Sequence, residues 1–370
     1  MAMPLIRTAA HLGISLLTAL AWQLAPTPAA AVGPHDLVVP RDYSTIQAAV
    51  DAAAPGGRIT VRPGVYREQV VIDKDVSITG YGRQKTTILA PRTLATGSDG
   101  DTSIVEIRNG ASASMSGLTV SGPGSGTCDE GALGSGIRVL GGARLDLDHA
   151  AVAHITDTPA APCFHSATAV LIGDVPTSTG SATIRDTKIT GYQGAGVVVL
   201  NEGSTAVVER NTVTGHPSLS TDGIEFVAGA VGRITGNTVS ENACREPDPD
   251  CGPDFFNEFQ HAGIVADGPG TVVRDNRLVG NQVGIYLAGG SIDVGGNDIR
   301  RSSYVGIALQ DGPFTVRNDR IDGGVHGVAV VAAFADTNAV LEGVRIRRTS
   351  GAPVQTFECC GFTATATVRE

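Results

Sequence analysis

The chain has 370 residues, a formal net charge of −10, 48 glycines and only 4% aromatic residues. Its few Lys and Arg residues form no cluster, which excludes nucleic acid and anionic lipid as partners, because both require a dense basic surface. Abundant glycine with few aromatics points to many turns and small packed side chains rather than a thick aromatic core.

The chain opens MAMPLIRTAAHLGISLLTALAWQLAPTPAAA. Arg7 precedes an apolar run from about Ile14 to Leu24, followed by prolines and Ala29-Ala30-Ala31. This is the pattern of a secretory signal peptide over residues 1–31, too short for a membrane span. No later run is long enough to cross a bilayer. The expectation is a secreted protein, extracellular or cell-wall associated, whose one main domain covers residues 32–370. Six cysteines in an exported chain point to disulfides, and no Cys-x-x-Cys pair suggests zinc.

Residues 57–120 supply short alternating runs such as RITVRPG, VSITGYG and SIVEIRN. Beyond them a repeat sets in. Gly-apolar steps begin at Gly136, Gly196, Gly223, Gly263, Gly284, Gly306 and Gly327, and Ala169 fills the same slot. Successive steps are 33, 27, 27, 40, 21, 22 and 21 residues apart. Each unit adds a second alternating run, then often an Asn or Asp before a third, as in AVVERNTVTG and TVVRDNRLVG. Period-two alternation marks strands. Gly and Asn are expected at corners that need left-handed backbone. A unit of some 21 residues with three short strands is one coil of a solenoid, and stacked coils bury a continuous core. About ten or eleven coils are expected, with Asn stacked at one corner as a ladder.

The segment YSTIQAAVDAAAPGGRITVRPGVYREQVVI, residues 43–72, resembles the start of right-handed parallel β-helix proteins of the pectin-lyase-like superfamily. The resemblance implies an all-β, single-stranded right-handed parallel β-helix. Thr45-Ile46-Gln47-Ala48-Ala49-Val50 would form a helix capping its N-terminal end, similar to the start of pectin methylesterases. It also implies a substrate groove along one sheet, walled by inserted loops. That superfamily holds lyases, hydrolases, esterases, epimerases and non-enzymes, so activity must be argued from the site.

Insertions fall at about 122–135, 156–168, 215–221, 241–262 and 350–362. All but the last precede a Gly-apolar strand, so they are expected to stack as one wall of a cleft. Cys244 and Cys251 share one loop and are expected to pair. Cys128 and Cys163 occupy the same corner of consecutive coils, about 4.8 Å apart, which suits a disulfide. Cys359 and Cys360 then bond to each other, or one or both bond to Cys128 or Cys163.

In each Gly-apolar strand the residue after Gly points inward and the next points outward. The outward set is Arg138, Leu171, Val198, Glu225, Val265, Tyr286, Ala308 and Ala329. Glu225 is its one acid, Asp222 lies at the entry to the same strand, and His261 at the entry to the next. Carboxylates beside a His can run acid–base chemistry on a sugar, so Asp222, Glu225 and His261 are the catalytic candidates. Asp222 and Glu225 would serve either as the two carboxylates of a glycosidase or as a base beside a uronate carboxylate neutralised by Arg138 or Ca²⁺. Arg138, Tyr286, Glu258 and Phe256 are the substrate-binding candidates. Asp248, Asp250 and Asp254 form a loose oxygen-rich set for calcium. Ser220-Thr221-Asp222-Gly223 is similar to the Asn-Thr-Asp of polygalacturonases, but no Asp-Asp pair follows in the next coil.

The leading expectation is a carbohydrate-active enzyme, acting as polysaccharide lyase, hydrolase or epimerase. One alternative is a non-catalytic glycan-binding surface protein. Another is an enzyme of small-molecule isomerisation or cyclisation, which the apolar outward row would suit.

Overall fold

The computed structural model describes residues 36–97, 101–125, 132–156, 167–174, 177–216, 221–243, 252–258 and 260–370. The expected signal peptide, Cys128, Cys163, Cys244, Cys251, Asp248 and Asp250 lie outside the described residues. Among the described residues, no helix is long and apolar enough to cross a membrane.

The described strands form three parallel sheets of 13, 11 and 11 strands. After Leu37–Val39, which pairs with the next strand, Gly57–Val61, each strand pairs with the strand three further along, so three strands make one coil. Thr168–Ile172, for example, lies between Ser135–Val139 and Val197–Leu200. The chain is a parallel β-helix.

Inward side chains stack rung on rung. Ile137, Val170, Val197, Ile224, Ile264, Ile285, Ile307 and Val328 form one continuous row, all fully buried. Each such side chain contributes about 1.5–3 kcal/mol by leaving water. A lone coil would leave both of its ends wet, and stacking covers them.

The N-terminal end is closed by helix α1, Ile46–Ala52. Thr45 caps it by accepting from the Ala48 amide, and Glu68 accepts from the amides of Ile46 and Gln47 at 3.0 and 2.8 Å. Three of the amides that a helix start leaves orphaned are thereby satisfied. Ile46, Ala49 and Val50 are buried against the first coil.

The corner between the first and third sheets carries the expected ladder. The amides of Asn211, Asn237, Asn276 and Asn297 each donate to the side-chain oxygen of the next member, from Asn237 through Asn297 to Asp319. The side-chain amides donate the same way and also to carbonyls one coil back. All five are almost fully buried.

The glycines of the Gly-apolar step act differently from expectation. Gly196, Gly223, Gly284 and Gly306 have no left-handed backbone. Their role is close packing: a Cβ on Gly223 would sit 2.4 Å from the Gly263 carbonyl oxygen, and one on Gly284 2.4 Å from that of Gly306. The left-handed positions lie at other corners, and residues such as Arg210 and Asp275 occupy them as readily as Gly236.

Candidate active site

The second sheet places the outward residues in one row across neighbouring strands. Register runs Val71, Glu106, Arg138, Leu171, Val198, Glu225, Val265, Tyr286, Ala308, Ala329, Gln355. Strict alternation in each strand orders the row, so the eight positions read from the repeat all fall on it. Glu106 and Gln355 extend it at coils where the Gly-apolar signature is absent.

Three candidates meet at one point on this face. Asp222 precedes the strand Ile224–Val227 that carries Glu225, and His261 precedes the next strand, Ala262–Ala266. His261 Nδ1 lies 2.9 Å from Asp222 Oδ2, and the Ala262 amide donates to Asp222 Oδ1 at 2.6 Å. The His261 amide donates to Gln282 Oε1 at 2.8 Å, which pins the backbone at the entry to this strand. With Asp222 accepting at Nδ1–H, Nε2 becomes the basic nitrogen of the ring.

Burial, then the negative charge of Asp222 and hydrogen bonding with its carboxylate, push the Glu225 carboxyl well above the ordinary carboxylate range. Glu225 is therefore a neutral acid at a pH where free carboxylates are ionised. Beneath the site Tyr192 is fully buried and donates its hydroxyl to Asn242. Burial and the nearby acids push this phenol up. Asn242 in turn donates its amide and side-chain NH₂ to Asn281 Oδ1. Sequence reasoning missed Gln282, Tyr192 and Asn242. The one available signal was position: Gln282 follows His261 by one coil in register.

The pocket here encloses about 460 Å³ and is lined by Asp222, Glu225, His261, Val265 and Tyr286 from the sheet side and by Phe255, Phe256, Asn257, Glu258 and Gln260 from the loop. Its wall, residues 252–258, is held from within. The Gln260 side-chain NH₂ donates to the carbonyls of Gly252, Asp254 and Glu258, and Glu258 Oε2 accepts from the Asp254 amide at 2.7 Å. Phe255 anchors the wall, with ring centroids 6.1 Å from Tyr286, 5.5 Å from Tyr304 and 5.0 Å from Phe357. Tyr304 also donates its hydroxyl to the Pro253 carbonyl.

The other candidates are placed as follows. Phe256, Glu258 and Tyr286 line the pocket. Asp254 lies on the wall, where its oxygens accept from the Phe256 amide and the Asn257 side chain. Arg138 stands three rungs before Glu225 with 1% of its side chain exposed, ion-paired with Asp174 and, at 3.6 Å, with Asp101. Its charge is used within the fold. Cys359 and Cys360 are bonded to each other. Among the described residues, Asp148, His149 and Asp186 have a spacing that could hold a cation, but His149 pairs with Asp148 and Asp186 with Arg210.

The family described as "Right handed beta helix region" matches residues 170–346. Among solved structures, the catalytic domain of a GH87 alpha-1,3-glucanase in complex with tetrasaccharides aligns at TM-score 0.56 and 14% identity, covering 94% of this chain and 70% of that one. An alginate lyase from Paenibacillus sp. str. FPU-7 aligns at TM-score 0.50 and 15% identity, covering 85% and 96%. At these identities the likeness is one of fold. No curated protein sequence matches the chain.

Proposed function

We propose that this right-handed parallel β-helix is a secreted carbohydrate-active enzyme whose chemistry runs at Asp222, Glu225 and His261. The observation that carries the reading is the shared environment of the three. A carboxyl held neutral and an imidazole oriented by a carboxylate line one pocket. That gives a proton donor and an oriented ring nitrogen facing the same cavity.

The roles differ from the two-carboxylate glycosidase considered from sequence. Both Asp222 oxygens are engaged, Oδ2 at His261 and Oδ1 at the Ala262 amide, which suits a positioning carboxylate rather than a nucleophile. Asp222 therefore acts through its neighbours: it orients His261 and holds the proton on Glu225. Glu225 is the acid and His261 Nε2 the base. Phe256 and Tyr286 offer aromatic faces on which a sugar ring can stack.

The reading is tested with purified protein on a panel of polysaccharides, following both reducing ends and unsaturated uronate. Glu225→Gln and His261→Ala are each expected to lower turnover by about 10²–10⁴-fold, the usual contribution of a positioned acid or base. Turnover unchanged in both variants would move the chemistry elsewhere.

A further inference from the structure

We infer that this site takes an uncharged glycan and cleaves it with water, rather than acting on a polyuronate. The inference rests on the reading above and adds the substrate class.

Elimination or epimerisation at a uronate withdraws the proton beside a carboxylate. That step needs a cation or several donors to hold the charge that develops. Among the described residues lining the pocket there is no Lys or Arg, while Asp222 and Glu258 bring negative charge. The one basic side chain on the outward row is Arg138. It lies about 14 Å away at some 4.8 Å per rung, buried against Asp174 and Asp101 with Glu106 on the next rung. Calcium could substitute for a cationic side chain where ionised carboxylates are free to ligate it. Glu225 is held neutral, both Asp222 oxygens accept from Ala262 and His261, and Glu258 Oε2 accepts from the Asp254 amide. The five inserted segments, read from sequence, carry ten acids against one arginine, Arg245. On the described wall a chain of carboxylates would meet like charge at Asp254 and Glu258.

An uncharged sugar meets no such penalty. It finds the faces of Phe256 and Tyr286, the apolar Val265, a neutral acid and an oriented base. In the step that follows the sugar ring lies between the two groups: on the face away from Glu225, His261 Nε2 takes a proton from water and the water oxygen bonds to the anomeric carbon. The bond from that carbon to the glycosidic oxygen breaks, and Glu225 delivers its proton to that oxygen. Solvent then returns a proton to Glu225 and removes one from His261.

The test compares neutral α- and β-glucans with alginate and polygalacturonate, each with and without added Ca²⁺, using the wild type and Glu225→Gln. The expected result is reducing ends from a neutral glycan, at least about 100-fold faster than from either polyuronate, with no unsaturated uronate and loss of activity in Glu225→Gln. Polyuronate turnover that is lost in Glu225→Gln, with or without calcium, would overturn the substrate class while leaving the active site standing. Turnover indifferent to Glu225→Gln, or none on any polymer, would remove the site itself and the inference with it.

Discussion

Arg138 and Glu225 sit three rungs apart on one row of one sheet, both charged residue types, both pointing outward from the same solenoid. The fold treats them in opposite ways. Arg138 is surrounded by acids and its charge is cancelled. Glu225 is placed beside another acid, and burial with that neighbour makes its charged form costly. A satisfied charge holds two loops in place. An unsatisfied one keeps a proton where chemistry can use it. Perturbed groups in clefts are where function concentrates, and the pocket at Glu225 supplies the cleft.

This contrast can be broken most sharply by neutralising each residue. Glu225→Gln is expected to remove about 10²–10⁴-fold of turnover while leaving the fold intact. The sign of its stability effect follows from linkage. A carboxyl whose folded pKa is raised contributes stability below its unfolded value and loses it as pH rises. Gln stays neutral, so urea midpoints of the variant should equal or exceed wild type above neutral pH. A lower midpoint there would show that Glu225 is ionised in the folded protein.

Asp319 is the control that separates raised acidity from function. It ends the Asn ladder, fully buried, with one carboxyl oxygen unpartnered, and burial pushes its pKa up to about 7 against the opposing hydrogen bonds from Asn297. It does not line the pocket. Its contribution to stability is complete below about pH 4 and is lost as pH rises through about 7, roughly 4 kcal/mol in all. Asp319→Asn should flatten the slope of wild-type denaturation curves from pH 4 to 8, leaving the part due to Glu225, and leave turnover unchanged. A slope equal to that of the wild type would mean that the ladder ends on an ordinary carboxylate.

Arg138→Met tests the other side of the comparison. Removing the cation strands Asp174 and Asp101 beside Glu106. The expected cost is about 2–3 kcal/mol, below that of a fully enclosed pair because Asp101 retains 37% exposure. Turnover per folded molecule should hold, and a loss of turnover without loss of stability would assign Arg138 to substrate. The smallest effect is expected at Gly284, away from both charges. Gly284→Ala forces a methyl against the Gly306 carbonyl and should cost about 1–3 kcal/mol in thermal or urea unfolding, with kcat unchanged.

The repeat made the coil, the row order and the Asn ladder legible, because side-chain alternation and coil period are local properties of the chain. It also brought Asp222, Glu225 and His261 to neighbouring strand entries. What stayed hidden depended on side-chain direction across coils. Nothing local shows that Asp222 turns toward both Glu225 and His261, which changes it from a reacting carboxylate into an orienting one. The aspartates beside Arg138 come from residues 101 and 174, in irregular segments with no place in the repeat. The close-packed glycines were misread for a related reason: a missing Cβ looks the same in sequence whether it frees the backbone or makes room for a neighbour.

The most direct test is a carboxyl titration of Glu225 by ¹³C NMR on glutamate-labelled protein, in the wild type and in Asp222→Asn. The account predicts a Glu225 signal that remains protonated through the range where free glutamates ionise, and that shifts to lower pH when the charge of Asp222 is removed. A Glu225 that titrates with the free glutamates in the wild type, or that is unmoved by Asp222→Asn, would contradict it.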